Sequence, residues 1–190
     1  MTIEDLLLRL EISGSTEPDI FALQELTDFE IRQGFQLPND YKQFCSLFGS
    51  GRFGDHMTVY CPRIQNSQRS VYSMRVALEL AQEEYGCFEA AQNIGNLLNS
   101  CFVFATNPNS QDVVWDLRTY QKSDDSYDIY LLPLDPLDEF YLVGRSFLEF
   151  INDFCIGEGG YQNLPKHLHP CEGTIYPRFS RHASSDGTLW

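Results

Sequence analysis

The sequence predicts an α+β protein, with helices at both ends of a run of short antiparallel strands. Three observations carry this. Residues 2–48 hold three segments with apolar residues at helical spacing, residues 56–143 hold five short strand-like runs, and a strongly apolar helix follows Ser146.

Residues 2–12 predict a short helix. Thr2 is a suitable N-cap with Asp5 three residues on, and Ile3, Leu6, Leu7 and Leu10 form its stripe. Ser13-Gly14-Ser15 breaks it. Thr16 is placed to cap a second helix, with Glu17, Pro18 and Asp19 in its first turn. Ile20, Leu23, Leu26 and Ile31 are expected to face inward, with Phe29 near the edge.

Leu37-Pro38 then forms a corner. Proline lacks an N–H and has a helical φ, so it suits the start of a third helix. Asp40 lies in the first turn, where the helix dipole favours a carboxylate. Tyr41, Phe44, Cys45 and Phe48 share one face, and Gly49 supplies a left-handed cap.

Residues 50–55, SGRFGD, read as a glycine-rich turn, because neither phosphate-loop pattern is present. His56–Cys61 fits a first strand ended by Pro62. Residues 63–70 read as a polar loop. Residues 72–85 predict a helix capped by Ser73, with Val76, Ala77, Leu80 and Tyr85 inward and Gly86 at its end. A further short helix is expected within 88–99.

Phe102–Thr106 and Asp112–Leu117 predict a hairpin around the turn residues Asn107-Pro108-Asn109-Ser110. Residues 119–126 read as a loop. Tyr127–Leu132 and Phe140–Val143 continue the meander, with Pro133 and Pro136 bounding their connection. Ser146 and Glu149 form a capping box for a helix bearing Phe147, Leu148, Phe150, Ile151 and Phe154, which Gly157 ends. Residues 1–156 are therefore expected to form a single domain. Residues 157–190 show no sustained periodicity and read as an irregular tail held down by Tyr161, Leu164, Tyr176, Phe179 and Trp190.

Composition limits the functions available. The 190 residues include 43% hydrophobic ones, enough for a sizeable core. No apolar run approaches the roughly 18 residues of a membrane span. The acidic, amphipathic MTIEDLLLRLEI resembles neither a secretory leader nor a transit peptide, so a cytoplasmic location is expected. The net charge of −14 argues against nucleic-acid and anionic-membrane partners and permits a basic protein partner. Eight acids in residues 1–31 face only Arg9, whereas residues 160–190 carry two acids, Glu172 and Asp186, against three bases and three histidines.

No catalytic or metal constellation emerges. Glu83-Glu84 and Asp124-Asp125 read as solvated acids, since adjacent residues do not converge on one substrate. Cys155, His167, His169 and Cys171 lack the paired spacing of a structural zinc site. Whether those four meet in space is left open. His56 beside Cys61, or His182 with Cys171, are the thiol–histidine pairs available to a nucleophile. Cys45, Cys101 and Cys155 read as buried thiols, and the widely spaced six cysteines, Cys61 and Cys87 among them, do not read as a disulfide framework. No cofactor is expected. Trp115-Asp116 reads as a core or edge aromatic followed by a turn-forming acid.

The ordered set Phe29-Glu30, Gly34, Leu37-Pro38-x-Asp40-Tyr41, Phe44 and Phe48-Gly49 resembles the SUKH superfamily, which includes the fungal cell-wall-assembly regulator and many bacterial immunity proteins. Asp112, Trp115 and Asp116 match its hairpin, although Asn107–Gln111 replace the usual turn glycines. Ser146, Phe147 and Phe150 match its closing helix. The resemblance spans roughly residues 18–156, with a longer insertion at 63–99 than the pattern leads one to expect.

The resemblance implies a SUKH-like α+β fold: a mixed, largely antiparallel sheet of about five to six strands with helices packed on it. It implies no catalysis. It implies an immunity, antitoxin-like protein that neutralises a cognate basic toxin domain such as a nuclease. The alternative is an intracellular regulatory or scaffold domain without a toxin; a hydrolase using a tail cysteine or metal is a third reading. The candidate contact acids are Glu25, Asp28, Glu30, Asp112, Asp116, Asp124 and Asp125. The oligomeric state is left open.

Overall fold

The computed structural model describes residues 1–86, 89–134 and 137–183. Cys87, Pro136, Asp186 and Trp190 lie outside them, as does the side chain of Tyr85. The chain divides into two units, Met1–Pro62 with Phe147–Trp190, and Arg63–Ser146.

The first unit begins with α1, Ile3–Arg9. Thr2 caps it as expected, with Asp5 completing the reciprocal box. A strand, β1, Glu11–Gly14, takes the last two residues of the expected helix and the first two of the expected break. Helix α2, Leu23–Gln33, starts well after Thr16. Its first turn is closed by Glu25, whose carboxylate accepts the Ala22 N–H at 2.7 Å. Helix α3, Asn39–Leu47, follows Pro38 directly and buries Tyr41, Phe44 and Cys45. Phe48 is also buried, and Gly49 takes φ +76°, the left-handed cap that its position calls for.

The supposed turn at 50–55 is in fact one arm of a hairpin. β2, Gly51–Phe53, pairs with β3, Met57–Val59. After α6, Phe147–Phe150, and a π-helical turn, Ile151–Cys155, the tail is not simply irregular. It makes two short 3-10 turns and then β8, Arg178–Arg181. β8 lies between β1, which it meets in parallel, and β2, which it meets antiparallel, giving the order β1-β8-β2-β3.

Phe179 explains why this strand holds. Its ring is fully buried, 4.7 Å from Phe53 and 5.5 Å from Phe44 by centroid. Gly51 makes room for it: a Cβ there would lie 2.4 Å from the Phe179 ring. Tyr161 and Phe179, two of the expected tail anchors, are buried; Leu164 and Tyr176 are partly exposed.

The second unit opens with α4, Ile64–Tyr85, which absorbs the expected polar loop apart from its first residue, Arg63. Its inward residues are Ser67, Met74, Leu78 and Ala81, whereas Val76 and Leu80 point outward. α5, Glu89–Leu98, precedes a four-stranded antiparallel meander: β4, Cys101–Asn107; β5, Gln111–Gln121; β6, Ser126–Pro133; β7, Tyr141–Gly144.

Both faces of its central strands are covered. Met74, Leu78, Ile94, Val103, Val114 and Leu132 share one cluster. On β5 the next residue, Trp115, is fully buried, with its ring stacked 4.5 Å from Phe104 and 5.9 Å from Tyr127. The two units together hold eight described strands, more than the five to six expected, in a mixed and mostly antiparallel α+β arrangement.

Candidate partner-binding surface

Most of the motif positions are internal. Glu30, at the end of α2, accepts the Leu37 N–H at 2.7 Å and the Lys42 ammonium at 3.0 Å, while only 7% exposed. Leu37, Pro38, Tyr41 and Phe44 are buried behind it, and Asp40 is partly exposed in the first turn of α3. The Tyr41 hydroxyl donates to the Tyr60 carbonyl at 2.6 Å, and its ring meets Phe147 edge-on at 5.2 Å. Phe150 is buried on α6. Ser146 stands immediately before α6 and is partly exposed.

In the second unit, Asp116 is gripped by the residue two places on. Arg118 donates through Nε at 2.8 Å, Nη2 at 2.6 Å and its backbone N–H at 3.0 Å. Burial pushes the Asp116 carboxyl up, but these bonds outweigh it and hold the group below its usual range. Among the described residues, Asp112 has no such cation. Burial raises its carboxyl to about 6, against a smaller lowering from Thr106. Sequence reasoning missed Arg118 and Lys42 as the partners of these acids; an arginine at i+2 on a strand was the available signal for the first.

The candidate contact acids therefore separate. Glu30, Asp112 and Asp116 are buried and unavailable as surface contacts, which corrects their expected role. Glu25, Asp28 and Asp124 are exposed, and Asp125 sits half-buried in the β5–β6 turn at φ +52°, accepting the Tyr120 hydroxyl at 2.8 Å. Lys122 and Asp124 share that turn.

Helix α2 presents the most partner-like face. Leu23, Thr27 and Ile31 recur at every fourth residue and point outward, with Leu23 57% and Ile31 76% exposed. Ile20, just ahead of the helix, is 49% exposed. This corrects the expected packing in part: Leu26 faces the core as expected, joined by Phe29 and Glu30, while Ile20, Leu23 and Ile31 do not. Asp28 neighbours the stripe, about 60° round the helix from Ile31, whereas Glu25 lies further round, with its carboxylate on the Ala22 N–H. The same stretch is acidic more widely, since Glu4, Asp5, Glu11 and Glu17 are also exposed.

The buried thiols and His56 are placed for packing. Burial pushes Cys45 and Cys155 well up and Cys101 up to about 12, which keeps them as thiols at neutral pH. His56 is buried against the Tyr161 hydroxyl, and desolvation lowers it to about 4. Cys61 Sγ reaches the Asp19 carbonyl at 3.4 Å. His169 Nε2 lies 3.0 Å from the Leu164 carbonyl, while His167 and Cys171 are exposed. Among the described residues, no three His, Cys, Asp or Glu side chains gather as metal ligands. A shallow hollow of about 160 Å³ opens beside Asp116 and Arg118, and one of about 280 Å³ beside Val71 and Tyr72. Both are smaller than the usual ligand pocket.

A family model described as the SMI1 / KNR4 family (SUKH-1) matches residues 21–153. The chain belongs to this SUKH-1 family. Curated proteins and solved structures gave no match. The SUKH-1 match begins just before α2 and ends within the π-helical turn, so β1 and β8 lie outside it. Among the described residues, no helix is long and apolar enough to cross a membrane.

Proposed function

We propose that this SUKH-1 chain is a non-catalytic immunity protein of the cytoplasm. It binds a cognate toxin domain with a basic surface, such as a nuclease, and blocks it. The observation that carries this reading is the division of labour on α2. Its motif acid Glu30 is spent inside the fold, while Leu23 and Ile31 are left in water, with the exposed carboxylate of Asp28 about 60° round the helix from Ile31.

An apolar stripe bordered on one side by Asp28, on an acidic stretch of chain, suits a basic protein surface. The stripe supplies desolvated contact area, and the acids steer and orient the encounter. The acid excess is general: the first unit carries 15 acidic and 7 basic residues, the second 12 and 6. A nuclease must display a basic cleft for its substrate, so such a surface opposes it directly.

The test is co-purification with the toxin encoded beside the gene, followed by an assay of that toxin's activity. Binding with loss of activity supports the reading. Binding without loss of activity favours a regulatory scaffold. A neighbouring toxin that is neither bound nor inhibited removes it.

A further inference from the structure

The outward face of α4 points to a second copy of this chain, a conclusion independent of the proposed function. Arg69, Tyr72, Val76, Leu80 and Glu83 follow one another at intervals of three, four, four and three residues. At 3.6 residues per turn, all five project within about 40° of the Val76 direction. Tyr72 is 69% exposed, Val76 37% and Leu80 59%. Arg69 and Glu83 are exposed as well. The opposite side, through Met74 and Leu78, faces the core.

The charge along α4 is also ordered. Residues 64–78 contain Arg69 and Arg75 and no acid; residues 79–84 contain Glu79, Glu83 and Glu84 and no base. This layout opposes the helix dipole, which favours acids at the start and bases at the end. Arg75 is committed within its own unit, donating to the Leu98 carbonyl at 3.1 Å and Asn99 Oδ1 at 2.7 Å. Among the described residues, none of the three glutamates has a cationic partner.

We propose that two copies of the chain pair through α4, antiparallel, about a two-fold axis at Val76. The symmetric spacing then sets Arg69 against Glu83 of the second copy and Tyr72 against Leu80, with Val76 meeting itself. Glu79 falls opposite Ser73, and Glu84 opposite Gln68. No acid meets an acid, whereas parallel pairing would oppose Glu83 to Glu83. Such an isologous contact is self-complementary, and the two helix dipoles run in opposition. One helix face buries less than the roughly 1,200 Å² of a standard stable complex, so the dimer is reversible and concentration-dependent.

Sedimentation equilibrium of the full chain tests this, over roughly 5–200 µM at physiological salt, the range a small interface implies. A monomer–dimer equilibrium is expected. Glu83→Arg and Arg69→Glu should each weaken it at least about tenfold, and the two together should restore it to within about threefold, because the pair is exchanged and not lost. Leu80→Asp should abolish it in either background. Circular dichroism confirms that each variant is folded. A wild-type chain monomeric throughout overturns the proposal, as does a dimer indifferent to the single reversals or not recovered by the exchange. A monomer whose α4 variants lose toxin binding would assign the face to the toxin instead.

Discussion

The Glu30 carboxylate accepts the backbone N–H of Leu37 at 2.7 Å, across the corner between α2 and α3. The same oxygen holds Lys42 at 3.0 Å on α3. One buried acid therefore fixes the turn after Gly34, where the chain takes φ +74°, and the entry of the helix that supplies Tyr41 and Phe44 to the core. Glu30→Ala would leave a buried N–H and a largely buried ammonium unpaired, so a loss of about 2–4 kcal/mol in urea unfolding is expected. Glu30→Gln keeps an oxygen for Leu37 and should cost about half as much. A wild-type midpoint for Glu30→Ala would mean that the carboxylate is not holding the corner.

Asp112 makes a second motif position costly. Its carboxyl is raised by burial from the usual 3.8 to about 6 in the folded chain. Between these values the folded state binds the proton more tightly than the unfolded state. The resulting stabilisation is present in full below about pH 4 and is lost as pH rises through 6. Asp112→Asn removes the ionisation. The variant should therefore be more stable than wild type by about 2–3 kcal/mol at pH 7.5, with the difference vanishing near pH 4. Unfolding curves at both pH values check it; an equal difference at each would show that ionisation is not the cause.

His56 works in the opposite sense. Desolvation lowers it from 6.5 to about 4, so the unfolded chain binds the proton more tightly in that window. Its contribution is present above pH 6.5 and is lost as pH falls towards 4, by up to about 2–3 kcal/mol. His56→Gln, which keeps a polar group beside the Tyr161 hydroxyl, should flatten the acid limb of the stability–pH profile. Between pH 4 and 6 the His56 and Asp112 slopes oppose each other, so wild type should change little there and either variant should expose the slope of the other group. A steep wild-type slope through this window would contradict the pairing.

How legible these features were depended on where each segment finds its partners. α3 was readable because Tyr41, Phe44, Cys45 and Phe48 are all buried on the face that their spacing defines. The β4–β5 hairpin was readable because Asn107 to Ser110 turn within the chain, with Ser110 at φ +55°. β1 and β8 were not, because four residues each, joined from opposite ends of the chain, need no alternation of their own. On α2 and α4 the inward assignment held for Leu26 and Ala77 and failed for four residues for one shared reason: Leu23, Ile31, Val76 and Leu80 are apolar yet exposed. Periodicity assumes that apolar residues face the core. Both failures fall on helix faces that the fold leaves in water, which is where contact with another protein is inferred.

The outward stripe of α2 gives the sharpest separation between folding and binding. Ile31 is adjacent in sequence to Glu30 but is 76% exposed, so its side chain does little for the fold. Leu23→Arg and Ile31→Arg should each shift unfolding free energy by no more than about 0.5 kcal/mol. Against a basic toxin surface, each adds a like charge where an apolar contact stood. Affinity should then fall at least about tenfold per substitution, with a slower association rate at low salt. Asp28→Lys should behave similarly and more salt-dependently, because a rim charge acts chiefly through the encounter. Surface plasmon resonance at two salt concentrations, beside urea unfolding of the same variants, measures both quantities. Unchanged affinity for all three variants would remove α2 from the interface, and a stability loss above about 1 kcal/mol would return Ile31 to the core.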